Sequence, residues 1–200
     1  MILYLHGLNS GSGSAKAAVL RRALQPVEVL SPGYPAHLAA EAVRVLSDAL
    51  AQALTKASGR GEPVVLVGSS MGGFYGQYLA QRFPVEHLVM INPALRPWEL
   101  LKQVVGWQVN EAQGERYYLS REMVAATRRY DLEDVSDAAP TTLLLDQGDE
   151  LIDWHIAESI YAGRAEIHAF PGGSHAFDHM DEAVAIIRRL HQALSSPSGS

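Results

Sequence analysis

Short apolar runs recur along the chain at ILYLH (2–6), VEVLS (27–31), PVVLVG (63–68), HLVMIN (87–92), TTLLLD (141–146) and AEIHAF (165–170), and each reads as a β-strand. Most are apolar throughout rather than in alternation, the pattern of strands buried on both faces. Between them the hydrophobic period lengthens. Residues 15–25 follow a candidate N-cap at Ser14 and stop at Pro26. Leu38, Ala42, Val45, Leu46, Ala49, Leu50 and Leu54 form one helical stripe, and Met71, Phe74, Tyr75, Tyr78 and Leu79 form another that ends before Pro84. Strands alternating with helices predict βαβ units, hence a doubly wound, mostly parallel α/β sheet of about six strands with helices on both faces.

One stretch breaks this rhythm. Residues 95–139 separate the fourth and fifth strands by more than a single crossover needs, and they carry Trp98, Trp107, Tyr117, Tyr118 and Tyr130. A small helical cap inserted into a single domain spanning 1–195 is expected. The last residues, SSPSGS, have the composition of a frayed tail, placed at 196–200.

Composition narrows the function classes. The chain has 200 residues, 48% of them hydrophobic and 19% charged, which suits one globular domain with a sizeable core. Its 16 Lys and Arg against 22 Asp and Glu give a formal charge of −6, and no basic run stands out, so nucleic acid and anionic membrane surfaces are not expected partners. Small molecules are. The absence of cysteine excludes disulfides, thiolate metal sites and a cysteine nucleophile. Met1 leads directly into a strand with neither a charged leader nor a long apolar segment, so no signal peptide or membrane span is expected and the cytoplasm is the default location.

The opening glycine–serine loop, HGLNSGSGSAK, invites a phosphate-cradle reading that the spacing rejects. A P-loop needs lysine directly after its last glycine, whereas Ser14 and Ala15 intervene between Gly13 and Lys16. A dinucleotide fingerprint starting at Gly11 needs a small residue where Lys16 stands. Neither phosphate motif is met, no cofactor and no metal are expected, and Lys16 reads as part of a solvated helix face.

A different motif carries the chemistry. Gly68, Ser70 and Gly72 fit G-x-S-x-G between the strand VVLVG and an amphipathic helix. With 17 glycines in the chain the bare pattern means little, but its strand–turn–helix context is that of a nucleophile elbow. There a strained turn lifts the serine hydroxyl above the strand ends, and side chains two residues to either side would collide with neighbouring backbone. A serine nucleophile needs a base, and the base needs a third group to fix its tautomer. The order Ser, acid, His is met by Asp149, just beyond the fifth strand and after Gly148, and by His175, in the turn after the sixth. Asp146 competes but belongs to the strand end, and Asp153 is placed to cap a helix starting at Trp154. His168 lies within a strand, His191 on a helix, and His179 one turn past the loop, each better read as structural or surface.

The opening loop then has a role. An attacked carbonyl develops negative charge on oxygen, which preorganised backbone N–H groups must meet. Met71 supplies one and Leu8, in the loop after the first strand, the other, with Asn9 as the alternative. His6 becomes a scaffold residue.

The segments LYLHGLNSGSGSAKA, VGSSMGGFYGQYLA, INPALRPWELL, QGDELIDW and GGSHAF together resemble the small bacterial YqiA-type esterases of the α/β-hydrolase superfamily, over nearly the whole chain. The resemblance implies a cytoplasmic α/β-hydrolase fold protein that cleaves carboxylic esters or acyl thioesters, with Ser70, Asp149 and His175 as the triad. The expected partner is a small-molecule acyl ester or thioester, and Trp98, Trp107, Tyr117 and Tyr118 are candidates for the acyl pocket, with cap core as the competing role. Hydrolysis of a C–N or C–C bond by the same triad, and a non-catalytic binding module on the same fold, are the alternatives.

Overall fold

Strand by strand, successive residues point to opposite faces of the sheet, and here both faces are covered. In the computed structural model, which describes residues 1–110, 112–132, 134–135 and 139–196, β1 (Ile2–Leu5), β3 (Val65–Ser69), β4 (His87–Ile91) and β7 (Thr141–Asp146) are buried along their whole length. Leu3, Leu5, Leu66, Leu88, Met90, Leu143 and Leu145 pack into one core, beneath α2 (Ala39–Ser58) and α3 (Met71–Ala80). Ile2, Tyr4, Val65, Val67, Val89, Ile91 and Leu144 pack into a second, beneath α1 (Ala15–Ala23) and α7 (Met180–Ser195). This two-sided burial is why those strands show no polar face in the sequence.

With β2 (Val29–Leu30) and β8 (Ala165–Phe170) the sheet has six strands in the order β2-β1-β3-β4-β7-β8, every pair parallel. The register sets Leu5 beside Gly68, Ser69 beside Ile91 and Asp146 beside Phe170, so the C-terminal ends of the strands form one rim. Ligands bind at such rims in open α/β sheets. β2 is shorter than the expected 27–31 because only Ile2 and Leu3 of β1 pair with it, at the outer edge.

Helix ends follow local chemistry. The Ser14 side chain accepts from the Ala17 N–H and starts α1, and Asp153 accepts from the His155 N–H and starts α6 (Trp154–Ile160). Two helices the apolar stripes did not delimit are α6 and α7, the latter burying Ala183, Val184, Ile186 and Ile187.

Between β4 and β7 the chain forms α4 (Pro97–Leu101), an antiparallel hairpin of β5 (Gly106–Asn110) and β6 (Glu115–Leu119), α5 (Arg121–Thr127) and a 3-10 turn at Arg128–Tyr130. Helices thus occur in this stretch, together with a hairpin that the sequence pattern does not predict. Of the tail placed at 196–200, residues 197–200 lie outside the described residues, as do 111, 133 and 136–138 of the insertion. Among the described residues, no helix is long and apolar enough to cross a membrane.

Candidate active site

Ser70 lies between β3 and α3 with φ 54 and ψ −119, a backbone conformation that L-residues rarely occupy. Surrounding hydrogen bonds hold it there: its N–H donates to the Ile91 carbonyl at 3.0 Å, and its own carbonyl accepts from the N–H groups of Gly73 at 3.0 Å and Ala94 at 3.1 Å. A Cβ on Gly72 would lie 2.6 Å from the Leu5 carbonyl carbon, and one on Gly68 would lie 2.7 Å from the Gly73 nitrogen. Both obstacles are backbone, which cannot step aside as a flexible side chain could. The two glycines of the motif are thus required by crowding around the turn.

Asp149 is held beyond β7 by a turn that extends the β7–β8 pairing, with the Gly148 N–H donating to the Gly172 carbonyl at 2.7 Å. Its side chain is 1% exposed. One carboxylate oxygen accepts from the Leu151 and Ile152 N–H groups, each at 2.9 Å, and the other meets His175 Nδ1 at 2.9 Å. Burial pushes the Asp149 carboxyl up, but the hydrogen bonds from His175, Ile152 and Leu151 outweigh it and hold the group below the ordinary carboxylate range. An ionised carboxylate only accepts, so Nδ1 of His175 carries a proton and Nε2 is left as the unprotonated ring nitrogen. The His175 N–H donates to Glu150 Oε2 at 2.9 Å, tying the loop to its neighbour.

Ser70 and His175 line one cavity of about 420 Å³ together with Leu8, Asn9 and Met71. Among the described residues no hydrogen bond joins the Ser70 hydroxyl to the imidazole; such contacts often tighten only when substrate is bound. Neither the Leu8 N–H nor the Met71 N–H has an acceptor among the described residues, so both are available to an oxygen in that cavity. Gly7 lies beneath: a Cβ there would sit 3.1 Å from Ser70 Cβ. His6 is 1% exposed, with Nδ1 2.8 Å from the Gly7 carbonyl and its ring stacked on Tyr34 at 4.2 Å. Burial pushes this imidazole down and favours its neutral form.

A second acid–histidine pair stands behind the first, and sequence reasoning missed it. Asp146, at the end of β7, is fully buried and accepts from His179 Nδ1 at 2.6 Å, the Asp178 N–H at 2.8 Å and the Ser174 N–H at 3.2 Å. Asn92 completes the clamp, accepting from the Asp146 N–H at 2.8 Å and donating to the Ser174 carbonyl at 3.0 Å. The loop that carries His175 hangs from these two side chains. The available signal was the pairing of two acids in DQGD with two histidines in HAFDH.

The aromatic acyl pocket is corrected. None of Trp98, Trp107, Tyr117 and Tyr118 lines the cavity. Trp98 is buried, edge-on to Phe74 and beneath the Arg128 guanidinium. Trp107 and Tyr118 are 68% and 51% exposed and pack against each other on the outside of the hairpin. Tyr117 stacks on His37 and donates to Asn9 Oδ1 at 2.7 Å, while Asn110 donates to the Ser10 carbonyl at 3.1 Å, so the hairpin braces the loop after β1. The wall is aliphatic instead: Pro97, Leu100, Leu101, Val104, Leu151 and Ile152. Among the described residues, no group of three or more His, Asp or Glu side chains is placed to hold a metal.

Known structures share this architecture. The fold is similar to that of Est1E from Butyrivibrio proteoclasticus, with a TM-score of 0.72 and 16% identity over 96% of this chain and 87% of that one. It is similar to mouse alpha/beta hydrolase domain-containing protein 10, with a TM-score of 0.70, 18% identity, and 96% and 90% of the two chains covered. A monoacylglycerol lipase from Paleococcus ferrophilus matches with a TM-score of 0.66, 18% identity, and 96% and 94% covered. At these identities the likeness establishes the α/β-hydrolase fold. The model of the family described as Uncharacterised protein family (UPF0227) matches residues 1–192, and the chain, with its α/β-hydrolase fold and YqiA-type motifs, belongs to that family.

Proposed function

We propose that the protein is a serine hydrolase that cleaves carboxylic esters or acyl thioesters through an acyl-enzyme. The observation that carries this reading is the opening of Ser70, on its strained turn, and His175, oriented by Asp149, onto one cavity. Ser70 Oγ attacks the acyl carbonyl carbon while His175 Nε2 takes the hydroxyl proton. Asp149 holds Nδ1–H and favours the imidazolium that forms. The Leu8 and Met71 N–H groups donate to the oxyanion, worth about 3 kcal/mol for each such donor. His175 then passes its proton to the departing alkoxide or thiolate, and water attacks the acyl-enzyme by the same steps in reverse roles.

Residues 95–139 act as the cap in this reading. Pro97, Leu100, Leu101 and Val104 from the cap face Leu151 and Ile152, an apolar slot suited to an acyl chain. The monoacylglycerol lipase among the structural neighbours supports a hydrolase reading. Ser70→Ala is expected to lower kcat on p-nitrophenyl acetate or butyrate by about 10⁴-fold or more. Unchanged turnover in that variant would end the proposal.

A further inference from the structure

A second cavity, also about 420 Å³, opens on the other side of Ser70 and His175, towards α1. Besides Ser70 and His175 its polar lining is Tyr4, Ser10, Ser14, Lys16 and Ser69, a lysine next to hydroxyl groups beside the nucleophile. Lys16 is half-buried rather than on a solvated face, and among the described residues it has no carboxylate within 4.0 Å. Its position makes that more costly. It stands in the first turn of α1, which holds no acidic residue, where the free N–H groups of the helix already present positive charge and favour an anion. The two buried carboxylates nearby are committed elsewhere, Asp146 to His179 at 2.6 Å and Asp149 to His175 at 2.9 Å. Burial pushes the Lys16 ammonium down, and only the longer-range pull of Asp146 and Asp149 opposes it. Burial also pushes the Tyr4 phenol up to about 12, against the pull of the Ser14 and Ser69 hydroxyls, so it stays neutral. The chain carries a net charge of −6, yet this corner of the site presents a cation and hydroxyl donors.

We propose that this second cavity binds an anionic group of the substrate, a carboxylate or a phosphate, with Lys16 as the charge that recognises it and the Ser10 and Ser14 hydroxyls beside it. The inference rests on Ser70 being the nucleophile, because it assigns the cavity to the part of the substrate on the α1 side of the scissile bond. The substrate class is thereby narrowed to esters or thioesters that carry a negative charge near the reacting carbonyl. A neutral ester fills only the aliphatic slot.

Equilibrium binding tests this without requiring turnover. Wild-type protein, Lys16→Met and Lys16→Arg are titrated by calorimetry with benzoate, with inorganic phosphate, and with benzamide as the neutral counterpart of benzoate. Saturable binding of benzoate, phosphate or both is expected, with benzamide at least about tenfold weaker than benzoate if the carboxylate is the group recognised. Lys16→Met is expected to weaken the anion about tenfold or more, and Lys16→Arg to stay within about threefold of wild type. Which anion binds separates a carboxylate from a phosphate substrate. A second readout needs only the wild type: the binding anion should slow fluorophosphonate labelling of Ser70 more than benzamide does. No saturable anion binding, or equal affinity in wild type and Lys16→Met, overturns the proposal. Anion binding in a protein that turns over no ester would instead leave the cavity assigned and remove the hydrolase reading.

Discussion

His179 Nδ1 lies 2.6 Å from a carboxylate oxygen of the fully buried Asp146, while three residues further along the chain Asp149 receives His175 at 2.9 Å. The inner pair holds the loop on which the outer pair depends, through the Ser174 and Asp178 N–H groups that Asp146 also accepts. Asp146→Ala strips three donors of their acceptor at once and is expected to cost about 3–5 kcal/mol of stability in urea unfolding. His179→Ala removes one partner and is expected to cost about 1–3 kcal/mol, with kcat falling more than KM rises as His175 loses its setting. A His179→Ala protein with wild-type kcat would show that the inner pair only fastens the fold.

Gly72→Ala places a methyl group against the Leu5 and His6 carbonyls and should abolish soluble expression or unfold the elbow. Gly13→Ala is the matched control: nothing lies within 4 Å of the new carbon, and its stability should change by no more than about 0.5 kcal/mol. Thermal melts of the two variants make the comparison.

Asp149 gives the pH dependence. Its folded-state pKa is depressed, so its ionised form contributes stability that is fully present above the ordinary carboxylate value and is lost as pH falls through the lower folded value. Asp149→Asn should therefore melt below wild type at pH of about 6, with the gap closing as pH drops below about 4. A gap that does not change with pH would remove the ionised carboxylate from the explanation. The same variant should lose about 10⁴-fold in kcat through the wrong imidazole tautomer.

The corrected pocket separates two sets of substitutions. Trp107→Ala and Tyr118→Ala, on the exposed outer face, should leave kcat/KM on short esters unchanged. Tyr117→Phe deletes the hydrogen bond to Asn9, next to Leu8 in the loop after β1, and should lower kcat by up to about tenfold, the worth of one such bond. Leu100→Trp, in the aliphatic wall, should penalise octanoyl esters more than acetyl esters in steady-state kinetics.

Legibility in the sequence tracked how local each cause is. β3, β4 and β7 could be read because burial on both faces makes their centres continuously apolar, with polar residues confined to the strand ends, and Gly68 and Gly72 because the crowding acts within the turn itself. The hairpin could not, since its pattern is inverted: Trp107 and Val109 face outward while Gln108 lines the cavity and Asn110 is buried. The same inversion turns Trp107 and Tyr118 away from the cavity, whereas Trp98 sits in the core as cap packing. Asp146 was legible as the end of a strand, but its partner lies 33 residues away across a loop, and no spacing rule names it. Lys16 reads as a solvent residue for the same reason: the second cavity is made by elements distant in the chain.

Intact-mass analysis after treatment with a fluorophosphonate ester tests the convergence of Ser70, His175 and Asp149 most directly. Stoichiometric adduct on Ser70 is expected in the wild type, none in Ser70→Ala, and labelling slowed by orders of magnitude in His175→Ala at unchanged thermal stability. A wild-type protein that stays unlabelled, or a His175→Ala protein labelled at the wild-type rate, would contradict an activated serine at the rim of this sheet.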